Sequence, residues 1–416
     1  MTSSGSQMRW GSALVEGGAL GDMIDRAAAD VREQLGGSAD ITFAFLSSGF
    51  ELGHTSVPWM LHQRLGHQAL LGCSAGGVIG ARQEIEGRRA LSLVAARLPG
   101  VTVRTFHLEQ EALPDLDASP RAWHDLLQIQ PAEEPQFVVL ADPFTFNADR
   151  LLPGLDFAYP NAAKIGGLAS GADSRERRPN SLFADDAVYD SGAVGVTLTG
   201  DLRLDTIVAQ GCRPIGRPAA ITAADGNLIL ALDGHPPLEH LQAVLERLPE
   251  EDRELARHSL FLGIAMTPFL EKPGQGDFLI RNLMDIDPQT GSIVVGARVR
   301  EGQTVQFHLR DARTSADDLE SMLGRYAAGG PADARGALLF SCVGRGQFLY
   351  GRSHHDSEMF HARIGSIPLG GFFCNGEIGA VGGTTFLHGY TSCFGIFRPK
   401  SSPIDVTPPA ALRERA

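Results

Sequence analysis

The chain has 416 residues, 43% hydrophobic and 20% charged, enough for two to three domains with sizeable cores. Its formal net charge of −13 argues against a nucleic-acid-binding face or an anionic membrane partner. No run of about 18 apolar residues reads as a membrane span, the N-terminus lacks the apolar core of a signal peptide, and five cysteines without a CxxC argue against a disulfide framework. The expected compartment is therefore the cytoplasm, with the thiols reduced.

In chain order, residues 1–37 read as a tail and a helix, Leu20–Leu35, whose Leu20, Met23, Ile24, Ala27, Ala28, Val31 and Leu35 share one face. Ile41–Ser48 reads as a buried strand. A helix capped by Ser56, with Pro58 in its first turn, is expected to run to about His67. Ala69–Gly80 (ALLGCSAGGVIG) reads as one strand ending in glycines, EIEGRR as a turn and Ala90–Leu98 as a strand. The order then returns. Gln136–Phe144 is a strand, a helix starts from about Asn147 although Pro153 and Gly154 break or delay it, KIGGLASGA (Lys164–Ala172) matches LLGCSAGG, and Ser181–Gly200 reads as a hairpin. It returns again as ALLFSCVGRG from Ala337, a helix from His355 to about Ile364, IPLGGFFCNGEIG and TSCFGIF. In each case roughly 30 residues separate the first strand from the glycine strand, the scale of a supersecondary repeat. A fourth, degenerate unit is expected in Ser259–Met266, Asp277–Asp287 and Gly291–Val299, followed by a helix, Thr314–Tyr326, with Ser315 and Asp318 in a capping-box pattern. The fold class is α+β: mixed β-sheets flanked by helices, built from repeated strand–helix–strand–hairpin units in two pseudo-related lobes that meet near Asp233–Pro237. Residues 399–416, rich in Pro and Ser, read as a tail.

The first-half text LLGCSAGGVIG, EIEG, ALSLVAARLPG, KIGGLASG and LFADDAVYDSGAVGVTL resembles the FIST family, the sensory module of paired FIST N and FIST C domains. So does the second-half text FLIRNLMDID, ALLFSCVGRG, PLGGFFCNGEIGAVGG and FLHGYT. The resemblance covers Ile41 to Arg398. It implies a FIST N-like domain over 38–233 and a FIST C-like domain over 234–398. It further implies a small-molecule ligand, with amino acids the class proposed for the family, as input to signal transduction. The chain leaves no room for an output domain, so a signalling protein partner is expected. The resemblance implies no catalytic residue.

Polar groups just past strands that end in glycine are candidate ligand contacts. They are Cys73, Ser74, Gly76, Gly167, Arg345, Gly371, Cys374, Asn375, Glu377 and His388, with Arg281 and Asn282 weaker candidates. Arg345 offers a bidentate fork to a carboxylate and Glu377 a partner to an amine, which together suit a zwitterion. The alternative is that the two pair with each other or hold the loops. Ser74 stands in a G-x-S-x-G match, but the text after it reads as strand, not as the helix a nucleophile elbow requires. Cys73 and Cys374 appear at similar positions in their units, with Cys342 ending another strand and His388 the candidate base. Against this, small thiols also simply fill crowded sheet ends. His354, Glu358 and His361 have ligand residue types without a strong metal spacing, so neither metal nor cofactor is expected. Three readings stand: a cytoplasmic small-molecule sensor, an enzyme with a nucleophile near Cys374 or Ser74, and a ligand-free scaffold for a protein partner.

Overall fold

In the computed structural model, which describes residues 7–47, 54–115, 117–172, 178–267, 273–329 and 333–400, one order of elements occurs three times. The first repeat is β1 (Arg9–Glu16), α1 (Leu20–Leu35), β2 (Ile41–Ser47), α2 (Val57–Leu65), β3 (Ala69–Ala75), the hairpin β4 (Gly77–Gly80) and β5 (Gln83–Glu86), and β6 (Ala90–Arg97). The second is β7 (Val101–Leu108), α3 (Pro120–Leu127), β8 (Gln136–Ala141), α4 (Ala148–Ala158), β9 (Lys164–Leu168), the hairpin β10 (Leu182–Ala184) and β11 (Ala187–Tyr189), and β12 (Ala193–Gly200). The third opens with β13 (Arg203–Ala209) and is then interrupted. The insertion carries β14 (Cys212–Asp225), β15 (Leu228–Leu232), α5 (Pro237–Arg247), α6 (Glu250–Ala256), β16 (Leu260–Ala265), β17 (Phe278–Ile286), β18 (Ile293–Val295) and β19 (Thr304–Arg310). The third repeat resumes with α7 (Ala312–Gly329), β20 (Gly336–Cys342), α8 (Gly346–Tyr350), α9 (His355–Ile364), β21 (Leu369–Cys374), the hairpin β22 (Glu377–Val381) and β23 (Thr384–His388), and β24 (Ser392–Arg398).

Each repeat builds a six-stranded sheet: β1-β6-β2-β3-β10-β11, β7-β12-β8-β9-β22-β23 and β13-β24-β20-β21-β4-β5. The central pair of each is parallel: β2 with β3, β8 with β9, β20 with β21. These strands are buried on both faces, so they read as continuous apolar runs rather than alternating ones. The last two strands of each sheet belong to another repeat. The first repeat's hairpin lies on β21, the third's on β9 and the second's on β3. The hairpins are thus exchanged in a ring.

Glycine makes the parallel pairs possible. Gly72, Gly166 and Gly371 stand opposite Ala44, Val139 and Leu339. A Cβ on them would lie 2.0, 1.8 and 1.8 Å from those residues' carbonyl oxygens, a close approach that only glycine permits. This equates the three positions, and with them Gly76, Ser170 and Asn375, each four residues further on. Behind the strands, Phe45, Phe340 and Phe372 form a cluster with centroids 5.0–6.4 Å apart, each pair adding about 0.5–1.5 kcal/mol beyond burial. Helix α1 buries Met23, Ile24, Ala27, Ala28, Val31 and Leu35 and ends on left-handed Gly36, whose N–H caps the Arg32 carbonyl.

The α+β class and the repeated-unit construction hold, and several local expectations are corrected. ALLGCSAGGVIG is two strands in two different sheets, because the chain crosses over at Gly76. EIEGRR begins with β5, and the turn falls earlier, at Ala81 and Arg82, both with positive φ. The stretch before α1 is the strand β1, paired with β6, not a tail. Helix α4 runs through Pro153. Its Gly154 makes room for Trp123, which a Cβ there would approach to 2.0 Å. The fourth unit is replaced by a closed barrel, β14-β15-β18-β17-β16-β19, antiparallel at every neighbour. Closure leaves no open edge. Helix α7 starts earlier than expected. Asp311 accepts the Thr314 N–H at 2.7 Å, while Ser315 is buried and donates to the Gly211 carbonyl at 2.8 Å. The C-terminal tail lies, from residue 401, outside the described residues.

Two compact bodies emerge. One comprises 1–208, 320–387 and 391–416 and holds the three sheets; the other comprises 209–319 and 388–390 and holds the barrel. Among the described residues no helix is long and apolar enough to cross a membrane.

Candidate functional site

The glycine strands β3, β9 and β21 end against one another. At the three equivalent positions, the Gly76 N–H donates to Ser170 Oγ at 2.9 Å, and Ser170 Oγ donates to the Phe373 carbonyl. Asn375 donates from its main chain to the Leu168 carbonyl at 3.0 Å and from Nδ2 to the Ala169 carbonyl at 3.1 Å. Leu168 N–H in turn donates to the Gly376 carbonyl at 2.8 Å. One serine hydroxyl therefore ties all three repeats together. Of the residues singled out in the sequence, Ser74, Gly76, Gly167, Cys374 and Asn375 gather here. Gly167 is pressed against Cys374, whose Sγ a Cβ would approach to 2.5 Å. Ser74 Oγ accepts the Ser181 N–H at 2.9 Å from fully within the core, which removes it as a nucleophile.

The thiols are structural. Cys73 lies opposite Phe45 and Cys374 opposite Cys342, one and three residues past the equivalent glycines, so the two are not counterparts. Burial pushes both thiols well above the ordinary range, with the Glu377 charge adding to the effect on Cys374. A thiol so raised carries no thiolate at neutral pH.

Arg345 is fully buried. Its Nε and Nη2 fork onto Asp356 at 2.8 and 3.1 Å, and Nη2 also reaches the Tyr350 hydroxyl. Asp356 accepts further hydrogen bonds from Ser341 Oγ at 3.1 Å and from Ser392 Oγ, and His355 Nδ1 lies 3.1 Å from it. Burial alone would raise this carboxyl, but the Arg345 charge and the hydrogen bonds outweigh it and hold it well below the usual carboxylate range. The fork that the sequence offers to a ligand carboxylate is thus taken by Asp356. Glu377, also buried, accepts the Thr391 N–H at 3.1 Å and hydroxyl at 2.8 Å. The exchanged hairpin β4–β5 is latched beside this cluster. Glu84 Oε1 accepts the Ser357 N–H at 2.7 Å, the Glu84 N–H donates to His354 Nδ1 at 2.8 Å, and Glu86 accepts the Gln347 N–H at 2.9 Å. Burial first, then the Asp356 charge, push Glu84 up to about 8.

His388, Arg281 and Asn282 fall in the second body. Arg281 donates to the Ile280 carbonyl and Asn282 accepts from the Tyr390 hydroxyl. Glu358 turns outward to Arg352, and among the described residues no three metal-ligating side chains gather.

A cavity of about 480 Å³ opens beside the strand-end junction, at the N-terminus of α4, lined by Gln110, Phe144, Phe146, Arg150, Leu168 and Leu387. Its volume suits a small molecule. Phe144 is 75% exposed, and the turn that carries it is shaped by Asp142, which accepts the Phe144 and Thr145 N–H groups at 3.1 and 2.8 Å. A second cavity of about 410 Å³ lies at the opposite ends of β8 and β9, against Gln136, Tyr159, Ala163, Arg203, Asp205 and Lys400. Sequence reasoning did not find Ser170, Arg150 or Asp356. Ser170 was signalled by its offset from Gly166, which matches that of Asn375 from Gly371; the other two carry no local signal.

A model of the FIST N domain matches residues 40–235, and one of the FIST C domain matches residues 237–380. This pairing accords with two lobes. An uncharacterized protein of Mycobacterium bovis is 38% identical over 377 residues, 89% of this chain and 94% of that protein. One of Mycobacterium tuberculosis is 38% identical over 380 residues, with the same coverage of 89% and 94%. An F-box/LRR-repeat protein of Arabidopsis thaliana is 29% identical over 157 residues, 36% of this chain and 28% of that one. The crystal structure of a cyanuric acid hydrolase from A. caulinodans covers 95% of this chain and 100% of its own at 9% identity, with a TM-score of 0.33, too low to carry an argument.

Proposed function

Because the chain belongs to the FIST family, a family of sensory modules, we propose that it is a cytoplasmic sensor that binds a small molecule, an amino acid or a close relative, and reports through a protein partner. Its FIST N-like part spans 38–233 and its FIST C-like part 234–398. One observation carries the site: the cavity of about 480 Å³ shares Leu168 with the junction that joins the three repeats. Arg150 supplies the guanidinium for a carboxylate, the role first read into Arg345, and Phe144 and Phe146 supply apolar walls. A ligand held there presses on Leu168. Through the Leu168–Asn375 bond the third repeat responds, and through Ser170 the first. Unequal affinity for two arrangements of these strand ends makes the module a switch.

A thermal-shift screen against amino acids, related metabolites and nucleotides tests the reading. A ligand at 100 times its Kd adds about 2.7 kcal/mol, a rise of several degrees. A selective, saturable shift that Arg150→Gln and Phe144→Ala weaken is the expected result. The absence of a shift across the panel, or one indifferent to both substitutions, contradicts it.

A further inference from the structure

We infer that Ser181 and His54 form a nucleophile–base pair able to take the acyl group of a small ester. His54 Nδ1 lies 2.8 Å from Ser181 Oγ, within the reach required for proton transfer. Both groups are held by rigid neighbours. The Ser181 main chain is fixed by a reciprocal pair with Ser74, N–H to Oγ at 2.9 Å and carbonyl from N–H at 2.8 Å. Beside it, buried Asn180 donates to Asp142 at 2.7 Å and accepts the Ala172 N–H at 2.7 Å. The His54 ring stands edge-on to Phe183, centroids 6.2 Å apart at 85°. Such packing fixes a reactive geometry before any substrate arrives. Ser181, unlike Ser74, is only half-buried.

Burial first, and then the Arg178 charge, lower the His54 pKa, so the ring is neutral at pH 7. With its proton on Nε2, Nδ1 accepts the serine proton. In the step itself, Ser181 Oγ bonds to the acyl carbon as its proton passes to Nδ1. The ester C–O bond then breaks, and His54 returns the proton to the departing alcohol. Water repeats the sequence, releasing the acid and restoring Ser181.

The test treats the full chain with a fluorophosphonate and maps the adduct by mass spectrometry, then follows hydrolysis of p-nitrophenyl acetate. The expected adduct is on Ser181. His54→Ala slows its formation roughly 10²-fold or more, and Ser181→Ala abolishes it together with the ester hydrolysis. His54→Gln replaces His54→Ala should the latter unfold. No adduct, an adduct on another residue, or one on Ser181 at an unchanged rate without His54 overturns the inference. The sensory reading is separate, because a pure sensor gains thermal stability with its ligand while Ser181 stays unlabelled.

Discussion

Replacing Arg345 by Met removes the charge that holds Asp356. That carboxylate is 1% exposed, and Arg345 makes two of the polar contacts that reach it, leaving Ser341, Ser392 and His355. Removing one partner of a buried pair costs about 3–5 kcal/mol, whereas replacing both with apolar groups of similar volume is often near neutral. Urea unfolding of Arg345→Met should therefore show a deficit of about 3–5 kcal/mol, and Arg345→Met/Asp356→Leu should recover most of it. Asp356's folded pKa is depressed, so its contribution is present above the unfolded value of about 3.9 and is lost as pH falls toward the folded one. The deficit of the single variant should accordingly shrink below about pH 4. A deficit under about 1 kcal/mol for Arg345→Met, or a double variant as unstable as the two singles summed, refutes the claim that Arg345 serves Asp356 rather than a ligand.

Three further outcomes follow from the same geometry. Glu84, pushed up to about 8, contributes stability that is complete below its unfolded pKa and lost as pH rises through about 8. Glu84→Gln should match the wild type in melting temperature at pH 4 and exceed it increasingly toward pH 9; a constant gap would remove Glu84 as the titrating group. Gly371→Ala, with its Cβ 1.8 Å from the Leu339 carbonyl, should destabilise by at least the 1–3 kcal/mol of overpacking. Gly382→Ala, which meets nothing within 4 Å and has a φ of 61°, should cost only about 1–2 kcal/mol; equal losses in a thermal melt would contradict the parallel-pair argument. All five cysteines are buried, so a thiol reagent such as Ellman's should modify them only on unfolding, and a fast native reaction at Cys73 or Cys374 would restore the nucleophile reading.

The sequence announces what depends on local chemistry. The apolar runs of β2, β3, β8, β20 and β21 mark strands buried on both faces, and Gly72, Gly166 and Gly371 mark where parallel strands press together. The α1 face is read correctly except at Leu20, which is only partly buried. What it hides is partnership at a distance. Nothing in ALLGCSAGGVIG says that Gly76 is a crossing between sheets, because a hairpin has the same residues whichever sheet it joins. Arg345 in a Gly-rich loop looks like a ligand group because its partner, Asp356, sits one helix later in a stretch that reads as metal-ligand types. The barrel strands read as a repeat because a short apolar strand carries no signal for parallel or antiparallel neighbours.

Hydrogen exchange of the full chain, with and without a ligand from the thermal screen, tests the central claim most directly. The three strand ends are predicted to gain protection together, at 74–76, 168–171 and 373–376, because one ligand beside Leu168 tightens bonds that span all three repeats. Protection confined to the segments around the second cavity, Gln136, Asn161 and Leu204, would place the ligand at the wrong end of the strands and contradict the account.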